Sequence, residues 1–219
     1  MLTNSKREFI TFMMRAGVLT FGEFMTKSGR LTPYFVNTGN YKTGAAIAKL
    51  GQFYAGCIHS NTTNFSAIFG PAYKGIALAV AAASSLALDY GMDKPYFFNR
   101  KEIKDHGEGG NLIGYNPQNG DNIIIVEDVI TAGTALREVL PLINACADLT
   151  VRDMFISVNR CEVGRDKTKT VVSEVKDEFN ITVHPIVTVL DICEYLEELD
   201  GYGDVLERMK QYMDRYCIL

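Results

Sequence analysis

Glu127 and Asp128 stand side by side at the end of the run Asn122-Ile-Ile-Ile-Val126, and Thr131-Ala-Gly-Thr-Ala135 follows closely. Two adjacent carboxylates after an apolar run must meet solvent, a cation or hydroxyl donors, because leaving them desolvated and unpaired is very costly. In the next stretch, the small residues Ala132 and Gly133 let backbone N–H groups approach an anion, and Thr131 and Thr134 add hydroxyl donors. A helix beginning at Thr134 would contribute the positive end of its dipole. Together these features suit a ligand with hydroxyls at one end and a phosphate at the other, as in a ribose 5-phosphate. A plain βα turn in which Thr134 caps the helix accounts for the Gly-Thr step but not for the carboxylate pair. Neither a Gly-x-x-x-x-Gly-Lys-[Ser/Thr] loop nor a Gly-x-Gly-x-x-Gly fingerprint is present, so kinase-type phosphoryl transfer and dinucleotide binding lack support.

A second reactive stretch places Arg100, Lys101, Lys104 and His106 within seven residues, followed by Gly107, Gly109 and Gly110. These cations could neutralise a diphosphate, and His106 could carry charge or donate a proton near neutral pH. The glycines would let the segment open and close over a site. A charge cluster alone is most simply a solvated loop; its placement at the same sheet edge as the carboxylate pair favours the functional reading. Arg160 could grip a planar carboxylate in bidentate fashion or form a surface ion pair, and residue chemistry alone leaves both open. Structural roles are expected for His59 and His184. The five cysteines are dispersed, odd in number and without a C-x-x-C pair, which argues against a disulfide framework and a zinc site.

The elements that must position these groups follow from periodicity. Helices are expected from Ser5, where Ser5 and Glu8 have capping-box spacing, and over 43–58, with a hairpin or loop at 26–40 between them. Strands are expected at 65–69, 95–99, 122–126, 151–158 and 182–190. Helices are expected after Pro71 as far as Gly91, over 134–147 with Pro141 inside, and over 170–179. Strand-helix alternation of this kind implies an open, mainly parallel five-stranded α/β sheet flanked by helices. Ligands bind such sheets beyond the carboxyl ends of the strands, where segments 70–75, 99–110 and 127–135 would converge. The chain has 219 residues, 47% hydrophobic and 22% charged, with net charge −4. Those values fit one globular domain over 1–219 and do not favour a nucleic-acid surface. The most apolar stretch, 75–88, is too short to span a bilayer, so no membrane association and a cytoplasmic location are expected.

Residues 125–135 closely resemble the phosphoribosyl-diphosphate (PRPP) motif of type I phosphoribosyltransferases: an apolar run, two acidic residues and a Thr-Gly-Thr phosphate loop. The resemblance implies that Glu127 and Asp128 contact the ribose 2- and 3-hydroxyls and that Thr131, Ala132, Gly133, Thr134 and Ala135 hold the 5-phosphate. Four further segments resemble the orotate phosphoribosyltransferase family, in the same order. Phe69-Gly-Pro-Ala-Tyr-Lys-Gly75 looks like its diphosphate loop, which implies donor-binding roles for Tyr73 and Lys74. Arg100-Lys-x-x-Lys-x-His-Gly107 looks like its catalytic lid, with Arg100, Lys101, Lys104 and His106. Phe24 to Arg30 and Pro33-Tyr-Phe35 look like its N-terminal hood, built mainly from about 1–40, which puts Lys27 and the Tyr34-Phe35 backbone near the pyrimidine. Ser157-Val-Asn-Arg160 matches the strand end whose arginine holds the orotate carboxylate.

By this resemblance the substrates would be PRPP and orotate, and the cofactor Mg2+, held mainly through PRPP and water rather than by a protein ligand set. Asp128 would be the acid-base candidate. The protein would be a homodimer sharing lid residues in trans, and a separate decarboxylase could be a partner. A purine phosphoribosyltransferase would share the donor loop but not the Lys-rich lid. A PRPP-sensing regulator would bind the donor without turning it over. Departures from the family pattern are Glu127 where Asp is frequent, Tyr34 where Phe is frequent, and Asn159 and Cys161 around Arg160.

Overall fold

A computed structural model of the chain describes residues 2–26, 29–101, 111–130 and 133–219. The chain begins with α1 (Asn4–Arg15), then the strands β1 (Leu19–Met25) and β2 (Leu31–Val36), and a 3-10 turn at Thr38–Asn40. After α2 (Gly44–Asn61) come β3 (Ala67–Phe69), α3 (Lys74–Tyr90), β4 (Tyr96–Asn99) and β5 (Leu112–Gly114). The rest alternates β6 (Asn122–Val129), α4 (Thr134–Asn144), β7 (Thr150–Asn159), α5 (Val171–Phe179) and β8 (Thr182–Thr188). It closes with α6 (Val189–Glu197) and α7 (Gly203–Tyr216).

The main sheet has the order β5-β4-β3-β6-β7-β8. Five strands are parallel, as the alternation predicts, and β5 adds an antiparallel edge against β4. β5 escapes sequence reading because three residues carry no usable period. In β6, Ile123, Ile124, Ile125 and Val126 are fully buried. Side chains alternate across a strand. Accordingly Ile124 and Val126 join a core with α1, α2, α3, α6 and α7, whereas Ile123 and Ile125 join one with α4 and α5. Full burial of each such side chain is worth roughly 1.5–3 kcal/mol, which is why this strand reads as a continuous apolar run.

Helix boundaries follow local capping. The expected Ser5–Glu8 capping box is not the start of α1: Thr3 takes that position, its hydroxyl accepting from the Lys6 N–H. Thr43 caps α2, and Thr170 caps α5. α3 ends where Gly91 adopts φ 64°, a left-handed conformation that glycine reaches without a Cβ clash. The strand expected over 182–190 stops at Thr188, because Thr188 and Asp191 form a reciprocal capping box that starts α6. The helix expected over 134–147 ends at Asn144.

β1 and β2 form a separate antiparallel hairpin with Leu19 opposite Val36 and Met25 opposite Leu31. It packs against α7, where Tyr34 meets Tyr212 edge-on at 6.2 Å. Because β3, β4, β6 and β7 are parallel, their carboxyl ends share one edge, and the segments after Phe69, Asn99, Val129 and Asn159 all open there. No helix among the described residues is long and apolar enough to cross a membrane.

Candidate active site

Asp128 lies where β6 leaves the core, and its residue is only 6% exposed. Its Oδ2 accepts from Lys74 Nζ at 2.7 Å and from Thr38 Oγ1 at 2.8 Å, and its Oδ1 accepts from the Val129 N–H at 2.7 Å. Burial disfavours the ionised carboxylate, but Lys74, Thr38 and the Val129 N–H together outweigh it and hold Asp128 below its ordinary value. Glu127 has no such cation of its own. Burial first, and the neighbouring Asp128 charge second, push it up to about 8. The pair therefore holds one firm negative charge and one proton that is easily lost near neutral pH. Behind it, the Tyr54 hydroxyl donates to the Glu127 carbonyl at 2.7 Å and lies 2.7 Å from Ser157 Oγ, tying α2 to the ends of β6 and β7.

Lys74 is the first residue of α3, and two glycines set how closely that helix approaches β3. A Cβ on Gly70 would collide with the Gly75 carbonyl, and one on Gly75 would lie 2.7 Å from Pro71 Cδ. Asn99 Oδ1 accepts from the Ala72 N–H at 2.8 Å, which fastens the 70–73 turn to the end of β4. Tyr73 is 67% exposed at the mouth of this turn, and Lys101 Nζ sits 5.6 Å above its ring. Arg100 Nε is buried without a hydrogen-bond partner among the described residues. Gly133, at φ 66°, precedes α4, so Thr134 is the first helical residue rather than the cap. Thr134 and Ala135 are exposed, and first-turn N–H groups have no acceptor within their own helix. Two helices thus begin at the same sheet edge, α3 and α4. α4 offers first-turn N–H donors to an anion. In α3 the Gly75 and Ile76 N–H groups already donate to the Pro71 and Tyr73 carbonyls, and the Lys74 ammonium is the donor presented.

The second part of the site surrounds Arg160, just past the end of β7. Its Nε donates to Glu162 Oε1 at 2.7 Å, its Nη2 reaches Thr32 Oγ1 at 3.3 Å, and the guanidinium lies 4.5 Å above the Tyr34 ring. Burial works against this charge, but the Tyr34 and Glu162 groups outweigh it and keep the guanidinium firmly protonated. Phe35, 40% exposed, stacks on Phe24 at 5.4 Å on the same hairpin.

The structure thus unites Glu127, Asp128 and Lys74 directly, and places Tyr73, Arg100, Lys101, Gly133, Thr134, Ala135 and Arg160 at strand or helix ends along that edge. Tyr34 is wholly buried beneath Arg160. Lys27, Lys104, His106, Thr131 and Ala132 lie outside the described residues. Thr38, on Asp128, was not singled out in the sequence, because a threonine in a 3-10 turn gives no signal until the turn is folded against β6. His184 and His59 take structural roles: His184 bonds Asp153 at 2.7 Å and stacks on Phe155, and His59 stacks on Tyr90. Among the described residues no group of three or more His, Cys, Asp or Glu side chains could hold a metal ion.

The phosphoribosyl transferase domain family matches residues 37–185. The chain is 44% identical over 214 residues to an orotate phosphoribosyltransferase of Clostridium beijerinckii, covering 96% of this chain and 95% of that one. It is 46% identical over 213 residues to one of Yersinia enterocolitica, covering 97% and 98%. The crystal structure of an orotate phosphoribosyltransferase from Francisella tularensis matches with a TM-score of 0.86 at 34% identity, covering 96% of this chain and all of that one. With a family model across most of the sheet and relatives aligned over nearly its whole length, the chain belongs to the orotate phosphoribosyltransferase family.

Proposed function

We propose that the protein transfers ribose 5-phosphate from PRPP to N1 of orotate, giving orotidine 5'-phosphate and diphosphate. The observation that carries this reading is the pairing of two binding chemistries at one sheet edge. A Lys74–Asp128–Thr38 cluster between two helix N-termini suits the donor, and a buried guanidinium lying over the hairpin's Tyr34 ring suits a planar carboxylate.

Asp128, kept ionised by Lys74, accepts from a ribose hydroxyl, and Glu127 joins it on losing its proton. Its low pKa suits Asp128 to accepting hydrogen bonds more than to taking a proton, though it remains the acid-base candidate. The first turn of α4, with Thr131 to Ala135, receives the 5-phosphate. Breaking the anomeric C–O bond leaves positive charge on the sugar and adds negative charge to the departing diphosphate. Lys74 uses one of its three N–H donors on Asp128 and has others for that oxygen-rich group. Arg100, Lys101, Lys104 and His106 add cations, and lid closure excludes water from a centre that would otherwise be hydrolysed. Arg160 fixes the orotate ring by its carboxylate, with the Tyr34-Phe35 backbone and Lys27 alongside.

The hard carboxylate oxygens of Glu127 and Asp128, without a full protein ligand set nearby among the described residues, fit Mg2+ bound mainly through donor oxygens and water. When bound, the ion supplies charge neutralisation on the diphosphate. We further propose one catalytic domain over 1–219 with the hairpin as its hood, a cytoplasmic location, and a homodimer that shares the lid in trans. A separate decarboxylase is a candidate partner for the product. The test of the activity is the loss of orotate absorbance with PRPP and Mg2+; no loss at any enzyme concentration overturns it. For the shared lid, mixing Lys104→Ala subunits with Arg160→Ala subunits should restore activity in a fraction of heterodimers. Mixtures as inactive as either parent would rule out sharing in trans.

A further inference from the structure

The turn after β7 folds back on itself. Asn159 Oδ1 accepts from the Cys161 N–H at 2.9 Å, and Cys161 takes φ 54°, a left-handed conformation uncommon for a side-chain-bearing residue. This reversal carries Glu162 back beneath Arg160. Glu162 then meets Arg160, two residues back, and groups from two distant parts of the chain. Its Oε1 accepts from Arg160 Nε and from the Tyr212 hydroxyl of α7, both at 2.7 Å, and its Oε2 lies 3.4 Å from Arg30 Nη1 at the mouth of β2. The backbone on either side is clamped to the C-terminal segment: Val163 N–H donates to the Tyr216 carbonyl, and Ile218 N–H to the Cys161 carbonyl.

The arrangement has a directional consequence. A carboxylate that takes Nε fixes the rotation of the guanidinium about its stem, and the Tyr34 ring below fixes its plane. The Nη edge reaches Thr32 at a long 3.3 Å, and the Tyr212 hydroxyl also bonds the guanidinium. The five N–H donors of an arginine still leave some for a second planar carboxylate. Arg160 is the side chain here that the proposed function assigns to the acceptor's carboxylate; Glu162 and Tyr212 have no part in that assignment. We propose that Glu162, held by Tyr212 of the last helix and by Arg30, is a positioning residue that aims Arg160 at the acceptor's carboxylate. The α7 helix thereby sets the preference for a carboxylated pyrimidine. This inference rests on the reading of Arg160 as the carboxylate anchor, and the experiment separates the two.

The measurement is calorimetric binding of orotidine 5'-monophosphate and uridine 5'-monophosphate, which differ by the carboxylate, alongside steady-state kinetics. Glu162→Gln should weaken orotidine 5'-monophosphate and raise the orotate KM by roughly tenfold. Uridine 5'-monophosphate affinity, the PRPP KM and kcat should stay within about twofold. Tyr212→Phe, which removes one hydroxyl, should shift the same ratio by roughly threefold and serves if Glu162→Gln folds poorly. Arg160→Ala should abolish the discrimination altogether. If Arg160→Ala abolishes it while Glu162→Gln and Tyr212→Phe leave it intact, the positioning role is wrong and the anchor stands. Should Arg160→Ala leave the discrimination intact, the acceptor reading falls and the inference with it. Equal weakening of both nucleotides in Glu162→Gln and Tyr212→Phe would mean a general structural role and overturn the proposal.

Discussion

Asp128 and Lys74 are 54 positions apart, and each stands at an element end that the neighbouring parallel strands β6 and β3 deliver to the same sheet edge. Around Arg160 the separations are mixed: its partner Glu162 is two residues away, Thr32 is 128 away, and Glu162 in turn binds Arg30 at 132 residues and Tyr212 at 50. Both places hold a buried charge with an opposite partner, yet their electrostatics differ. On the donor side two carboxylates share one cation, so one of them is left holding a proton. On the acceptor side one carboxylate serves two cations, Arg30 and Arg160, and a hydroxyl. The first arrangement is poised to change its charge when a ligand arrives, whereas the second keeps a fixed surplus of one positive charge and holds a geometry.

The largest expected effect is on the donor side. Asp128→Ala should lower kcat/KM for PRPP by about 10²–10³-fold. It should leave the preference for orotidine over uridine 5'-monophosphate unchanged; a changed preference would mean that the two sides are not separable. Next comes Gly70→Ala, whose Cβ would force β3 and the start of α3 apart. Overpacking of this kind costs about 1–3 kcal/mol, so a raised PRPP KM and a lower Tm are expected. A parental PRPP KM in this variant would show that the close approach is not needed for donor binding.

A subtler effect concerns pH. Glu127 titrates at about 8 in the folded chain against an ordinary value of 4.5, so between those values the folded state holds a proton that the unfolded chain has lost. Stability from this group therefore falls as pH rises through that window, by an amount on the order of a few kcal/mol. Asp128 has the opposite sign: held below 3.8, its contribution is present above that value and is lost as pH falls further. Thermal melts of the ligand-free protein from pH 5 to 8 should slope downward, and Glu127→Gln should flatten the slope. Parallel curves would remove Glu127 as its source. The smallest effect is at Tyr34, whose hydroxyl is buried without a hydrogen-bond partner among the described residues. Tyr34→Phe keeps the ring beneath Arg160 and removes an unsatisfied polar atom, so stability should stay level or rise by about 1 kcal/mol. A clear fall in Tm would reveal a partner for that hydroxyl.

Much of the donor side was legible because its signals are local. The isoleucine run, the carboxylate pair and the glycines at 70, 75 and 133 each declare themselves within a few positions. The parallel sheet then brings them together by a rule that holds for the whole fold class. Helix caps were legible in kind but less so in place: Thr3 rather than Ser5 begins α1, since both offer a hydroxyl within two positions of each other. β5, α6 and α7 carried no expectation. β5 is too short to show a period, and α7 gains its meaning only through the hairpin and Glu162 that it meets.

By itself the sequence determined the α/β class, the order of the strands' reactive ends and, through resemblance, the family, because these depend on residue type and near-neighbour spacing. Only the tertiary structure decided that Thr38 and Lys74 share one oxygen of Asp128, that Glu127 keeps its proton, and that Glu162 steers Arg160 from beneath. Charge and hydrogen bonding act across distances of a few ångströms, and which groups lie that close is set by how the hairpin, the sheet edge and the last helix pack.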